Sequence, residues 1–166
     1  MRAFVLTFAL AASALCESAG GLKWTAPPSW KAQPQRPMRA ATYTVSHAAG
    51  DKEDGECAVF YFGPGQGGGV DANIKRWTAQ FDADKPAKTS KSTINGLPGT
   101  RIDVTGAYKA SGGPMMQPGP PKPGYRLLGA IVEGPEGAVF FKFTGPQKTV
   151  AAQQQAFENL LKSVSR

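Results

Sequence analysis

The chain has 166 residues, 41% of them hydrophobic, and 19 Lys and Arg set against 12 Asp and Glu give it a formal charge of +7. The basic residues are scattered, with no basic helix and no RNA-binding signature, which argues against nucleic acid as a partner. Only two cysteines and one histidine are present, and no CxxC occurs, so neither a zinc site nor a thioredoxin-like motif is available.

Met1 to about Cys16 reads as a secretory signal: Arg2, then an apolar run from Ala3 to Leu15. The run is too short to cross a bilayer as a stable helix, and it should stand detached from the fold. Small residues at −3 and −1 place cleavage after Ala14 or after Cys16. The alternative is a lipoprotein signal with Cys16 acylated; Leu15, where such signals carry a small residue, argues against it. Cleavage before residue 17 removes one basic residue, lowers the charge from +7 to +6, and leaves 17–166, the size of one domain with its own core. Cys57 is then alone, and within an apolar strand it reads as a small buried hydrophobe.

Leu22, Trp24 and Ala26 alternate as a first short strand, ended by Pro27 and Pro28, with Trp30 able to fold back as a lid on the core edge. Met38 to Ser46 forms a second strand: Met38, Ala40, Thr42 and Thr44 on one face, Arg39, Ala41, Tyr43 and Val45 on the other. After the charged turn 47–55, residues 57–62 are apolar on both faces, with Ala58, Phe60 and Phe62 opposite Cys57, Val59 and Tyr61. Such a strand belongs inside a sheet covered on both sides.

Five glycines lie between Phe62 and a helix expected over 71–82, where Val70, Ile74, Trp77 and Phe81 recur on one stripe, with Asp71 as N-cap and Lys75 as its partner. Gly63, Gly65 and Gly68 fit G-x-G-x-x-G, the spacing that brings backbone amides to a pyrophosphate. Pro64 removes one of those amides, and Asp82 and Asp84 follow no second strand, so a dinucleotide site does not fit. No G-K-[ST] follows, which excludes a P-loop. The stretch reads as a glycine turn over a sheet edge.

Residues 82–91 read as loop, and 92–108 as a hairpin across Asn95-Gly96. Residues 112–124 hold nine Gly or Pro and can only be a loop, in which Pro118-x-x-Pro121 reads as a stiff spacer. A second hairpin, 125–133 with 138–144, turns at Gly134-Pro-Glu-Gly137. Gly145-Pro146 then opens a helix over 147–164 with the stripe Val150, Phe157, Leu160, Leu161 and Val164. The elements predict an α+β protein: an α/β/α sandwich around a mostly antiparallel sheet of six to seven strands, covered by helices near 71–82 and 147–164.

Pro28-Ser-Trp30 after a short strand, the Asn73-Ile-Lys-Arg-Trp77 helix, the Asn95-Gly96-Leu97 hairpin, and a last hairpin running into an apolar helix that ends at Val164 are shared features. In this order of elements the chain resembles the PsbP-like superfamily, which includes the extrinsic photosystem II subunit and small bacterial secreted proteins and lipoproteins. The resemblance spans most of Trp24 to Val164. It implies an α/β/α sandwich and a binding or scaffold role rather than catalysis, and it carries over no functional residue.

Catalytic and metal-binding patterns are not legible. His47 sits beside Asp51, Glu53 and Asp54, but nothing places a serine next to it for a triad. Asp51-x-x-Asp54-Gly lacks calcium-loop spacing, and Met115-Met116 with His47 would be soft copper ligands only by a chance meeting. The sequence therefore points to a secreted or periplasmic, non-catalytic binding domain without a cofactor, its partner an unidentified protein or envelope component. Its candidate interaction residues lie in the two glycine-rich loops and the helix beside them: Gln66, Gly67, Gly68, Asn73, Arg76, Met115 and Met116. The alternatives are a small-ligand carrier with a pocket near Trp77 and a thiol enzyme using Cys57.

Overall fold

The computed structural model describes residues 16–109 and 119–166. Its strands are β1 (Cys16–Ala19), β2 (Leu22–Thr25), β3 (Lys31–Ala32), β4 (Arg39–Val45), β5 (Gly55–Phe60), β6 (Phe81–Ala83), β7 (Lys88–Ile94), β8 (Leu97–Tyr108), β9 (Lys122–Gly134) and β10 (Gly137–Pro146). The helices are α1 (Val70–Thr78), α2 (Gln147–Ala152) and α3 (Gln154–Ser163). One sheet runs β3-β4-β5-β10-β9-β8-β6, with β7 also paired to β8, while β1 and β2 form a separate hairpin. All of these pairings are antiparallel. The fold is α+β.

Alternation sorts the apolar side chains into two cores. Tyr43, Cys57, Val59, Phe141 and Phe143 face one side, where Phe157, Leu160 and Leu161 of α3, Val150 of α2 and Leu22 and Trp24 of the first hairpin cover them. Phe140, Leu127, Ile131, Ile102 and Val104 face the other, where Trp77 of α1 and Phe81 cover them. The expected faces of the 57–62 segment are those observed: Cys57, Val59 and Tyr61 against the first core, Phe60 and Phe62 against the second. Trp30 does close the core edge, its ring 5.2 Å from Phe143 and its indole N–H donating to Gln153 Oε1 at 3.1 Å.

Several expectations are corrected. The main sheet has eight strands among the described residues, not six to seven. Leu22–Thr25 is not one of them; it pairs with Cys16–Ala19, whose Glu17 accepts a hydrogen bond from the Tyr43 hydroxyl. Cys16, expected in a detached leader, is thus paired with Thr25, while residues 1–15 lie outside the described residues. β7 starts at Lys88, inside a segment read as loop, because its order comes from backbone pairing with β8 and most of its side chains are exposed. Polar residues on such an edge leave no alternation to read.

Helix α1 stops at Thr78, four residues short of expectation, and Phe81 reaches the second core from β6, paired with Tyr108. The N-cap is Gly69, in extended backbone, rather than Asp71. The second long helix is broken at Gln153 into α2 and α3. In β4 the register slips between Arg39 and Ala41, which turns Arg39 away from the Tyr43 face to which simple alternation assigned it. One inserted residue reverses facing. Arg39 instead bonds Thr42 Oγ1 at 3.3 Å and Glu56 Oε1 at 2.9 Å, on the second face.

The Asn95-Gly96 turn is as expected, with φ 47° and 78°, the left-handed pair of a two-residue hairpin. Asn95 also donates through Nδ2 to the carbonyls of Lys162 and Val164, both at 2.6 Å, and so docks the hairpin on the end of α3.

Candidate functional site

The two faces are not covered alike. On the second face α1 reaches only one half, because the sheet lets it approach at Gly129. A Cβ there would stand 2.5 Å from Trp77 Cζ3 and 2.7 Å from Ile102 Cγ2. Beyond Trp77 the same face becomes more polar: Arg39, Glu56, Ala58 and Phe60 from β4 and β5, Lys142 and Thr144 from β10, and Tyr108, Lys122 and Tyr125 from β8 and β9, with Phe60, Tyr108 and Tyr125 also packing on the edge of the second core. With Glu53 and Asp54 they bound a cleft of about 220 Å³.

Its charges are mostly matched in pairs. Glu56 meets Arg39 at 2.9 Å and Arg36 at 3.5 Å. Glu53 binds Lys122 and accepts the Tyr125 hydroxyl at 2.6 Å, and the Lys122 contact holds its carboxyl below the usual range. Asp54 meets His47 Nδ1 at 2.7 Å, which lowers its carboxyl likewise. The tyrosines stack, Tyr108 on Tyr125 with centroids 5.7 Å apart and planes 10° from parallel. Lys142 Nζ lies 5.8 Å from the Tyr108 centroid and Lys122 Nζ 5.7 Å from that of Tyr125, so each ring has a cation near it.

Lys142 is the exception to this pairing. Its Nζ donates to Gln80 Oε1, just past α1, at 2.6 Å, and among the described residues no carboxylate forms an ion pair with it. Burial pushes the ammonium down to about 8, with Glu56 opposing and Arg39 reinforcing the shift. Thr144, two residues along the strand, has a buried hydroxyl with no partner among the described residues.

The glycine loop is organised differently. Asn73 is 2% exposed, and its Nδ2 donates to the carbonyls of Gly67, Gly68 and Gly69 at 2.8, 3.3 and 3.0 Å. Gly67, at φ 87°, sits where a Cβ would lie 2.6 Å from Phe62. Those carbonyls turn inward onto an amide, so the loop is a clamp at the start of α1. Gln66, Gly68 and Arg76 are exposed and Gly67 half-buried, whereas Met115 and Met116 lie outside the described residues. An open groove of about 720 Å³ runs from Gly69–Ala72 to the β7–β8 hairpin. Larger than the cleft, it is walled mostly by glycine, small and hydroxyl-bearing residues, so the cleft, where charged and aromatic groups converge, is the stronger candidate. Replacing Asn73 by Ala should cost about 2 kcal/mol in urea unfolding, since three carbonyls lose a buried donor.

Solved structures are similar to this chain in fold. Cyanobacterial PsbP (CyanoP) from Synechocystis sp. PCC 6803 superposes with a TM-score of 0.56 at 10% identity, over 97% of this chain and 98% of that one. The fold is PsbP-like. A Pseudomonas aeruginosa protein of unknown function shares the PsbP-like fold, with a TM-score of 0.53 at 11% identity over 92% of this chain and 96% of its own. The sequence matches no protein-family model and no curated protein.

In this PsbP-like fold Cys57 is fully buried in the first core, and burial pushes its thiol up, so a reactive thiolate is suppressed. A thiol reagent should label the folded protein at Cys57 at least about a hundredfold more slowly than the urea-unfolded chain; equal rates would restore the thiol-enzyme alternative. His47 is exposed beside Asp54. Among the described residues no three His, Cys, Asp or Glu side chains gather to hold a metal, and no helix is long and apolar enough to cross a membrane. Trp77, the expected pocket wall, is 6% exposed and packs edge-on against Phe140, 6.5 Å between centroids.

Proposed function

We propose that the chain is an exported, non-catalytic binding domain, processed near residue 16, that recognises a component of the cell envelope through the polar cleft. The observation that carries this reading is the half of the second face that no helix among the described residues covers. A sheet this apolar elsewhere has there a recess lined by matched ion pairs, stacked tyrosines and a lysine that no carboxylate among the described residues pairs with. Groups so arranged orient a ligand. The PsbP-like neighbours support the fold of such a domain and leave its partner open. The exposed residues Gln66 and Gly68 of the glycine loop and Arg76 of α1 form a separate candidate contact.

Capture from envelope extract separates the two surfaces. The full chain should retain a component that the double variant Lys142→Met/Arg39→Ser loses and that Gln66→Ala/Arg76→Ser keeps. The opposite pattern would move recognition to the glycine loop, and release of a chemically altered substrate would contradict a non-catalytic role.

A further inference from the structure

We propose that the cleft binds a small aromatic carboxylate, its carboxylate on the Lys142 ammonium and its ring between Phe60 and Tyr108. This deepens the reading of the cleft as the recognition site and rests on it. The first support is the charge inventory. Glu56 has two arginines, Glu53 has Lys122 and the Tyr125 hydroxyl, and Asp54 has His47. A cationic ligand would find these carboxylates already engaged. Lys142, by contrast, donates to the neutral Gln80 oxygen 2.6 Å away and, among the described residues, forms no ion pair with a carboxylate. A largely buried ammonium is stabilised by an anion that brings its own charge.

The second support is Thr144, whose buried hydroxyl on the same strand face has no partner among the described residues; a carboxylate oxygen beside Lys142 can accept from it. The third is size and wall chemistry. A cavity of about 220 Å³ lined by Ala58, Phe60 and Tyr108 admits one ring with its carboxyl group, given that about 150 Å³ of apolar cavity holds benzene. One unmatched cation suits a monoanion; phosphate esters call for several donors or a helix N-terminus.

Benzoate is the probe, titrated into the full chain by calorimetry and by NMR of the aromatic and Ala58 methyl signals. Saturable binding is expected, with benzamide, the same shape without charge, at least about tenfold weaker. Lys142→Met should weaken benzoate by at least about tenfold and leave benzamide nearly unchanged. The groups facing Lys142 are Glu56, Arg39 and Tyr108, and burial holds the Tyr108 hydroxyl above its ordinary range. Above the Lys142 value of about 8, benzoate affinity should therefore fall about tenfold per pH unit, as the free amine must gain a proton to bind.

Equal affinity for benzoate and benzamide, or unchanged benzoate binding by Lys142→Met, overturns the proposal, as does absence of saturable binding. If benzoate fails while envelope capture still depends on Lys142 and Arg39, the ligand class is wrong and the cleft stands. If neither depends on them, both readings fall.

Discussion

Gly129→Ala will destabilise the protein by about 3 kcal/mol, lowering Tm by roughly 8 °C for a chain of this size. The added methyl would lie 2.5 and 2.9 Å from two carbons of the Trp77 indole and 2.7 Å from Ile102. Neither neighbour has room to give: Trp77 is 6% exposed and Ile102 2%. Relief requires α1 to lift from the sheet, and Gln80, which follows α1 and contacts Lys142, would lift with it. A second signature follows from that link. In a Trp77→Leu background the same glycine substitution should cost much less than in the wild type, because the colliding ring is gone. Additive losses in the double variant, or a Gly129→Ala loss below about 0.5 kcal/mol, would mean that α1 does not rest on the sheet as described.

Lys142→Met should stabilise the protein at pH 7 by about 2 kcal/mol. Folding lowers the lysine from its ordinary 10.5 to about 8, a gap equivalent to about 3 kcal/mol of charge burial, against which stands about 1 kcal/mol for the hydrogen bond to Gln80. The sign with pH is fixed by linkage. Between about 8 and 10.5 the unfolded chain holds a proton that the folded chain has released, so wild-type stability from this group rises with pH across that window. The advantage of Lys142→Met is therefore full below pH 8 and shrinks toward pH 10.5. Urea midpoints of the two proteins at pH 7, 9 and 10.5 check this; an advantage that grows with pH has the wrong sign.

The layering was legible because alternation is a strong signal where both faces are buried. Cys57, Val59 and Tyr61 against Phe60 and Phe62 divide the cores correctly, and Asn95-Gly96 marks its turn. What was lost has physical causes. β7 has almost no buried side chain, so only its backbone shows that it is a strand. Phe81 continues the helical stripe in sequence, but pairing with Tyr108 draws it into β6. The bulge before Ala41 reverses Arg39 without any glycine or proline to announce it.

The cleft was harder still. Its residues come from five strands and are adjacent only through register: Lys142 opposite Ala58 on one side and Gly129 on the other, Thr144 opposite Glu56. One signal was available. Lys142 stands in the run Val139-Phe-Phe-Lys-Phe143, and a single charge within a strand buried on both faces is costly unless something uses it. The glycine loop drew attention for its composition, whereas its order comes from Asn73, whose side chain reads in sequence as one more polar residue on a helix.

The most direct test of the cleft as the binding surface is photocrosslinking in native envelope extract. A benzophenone amino acid replaces Phe60 inside the cleft in one full-length sample and Lys91 on β7, outside it, in another. The expected result is a discrete adduct from position 60 and none from position 91. Adducts of equal yield from both positions, or from position 91 alone, would contradict it.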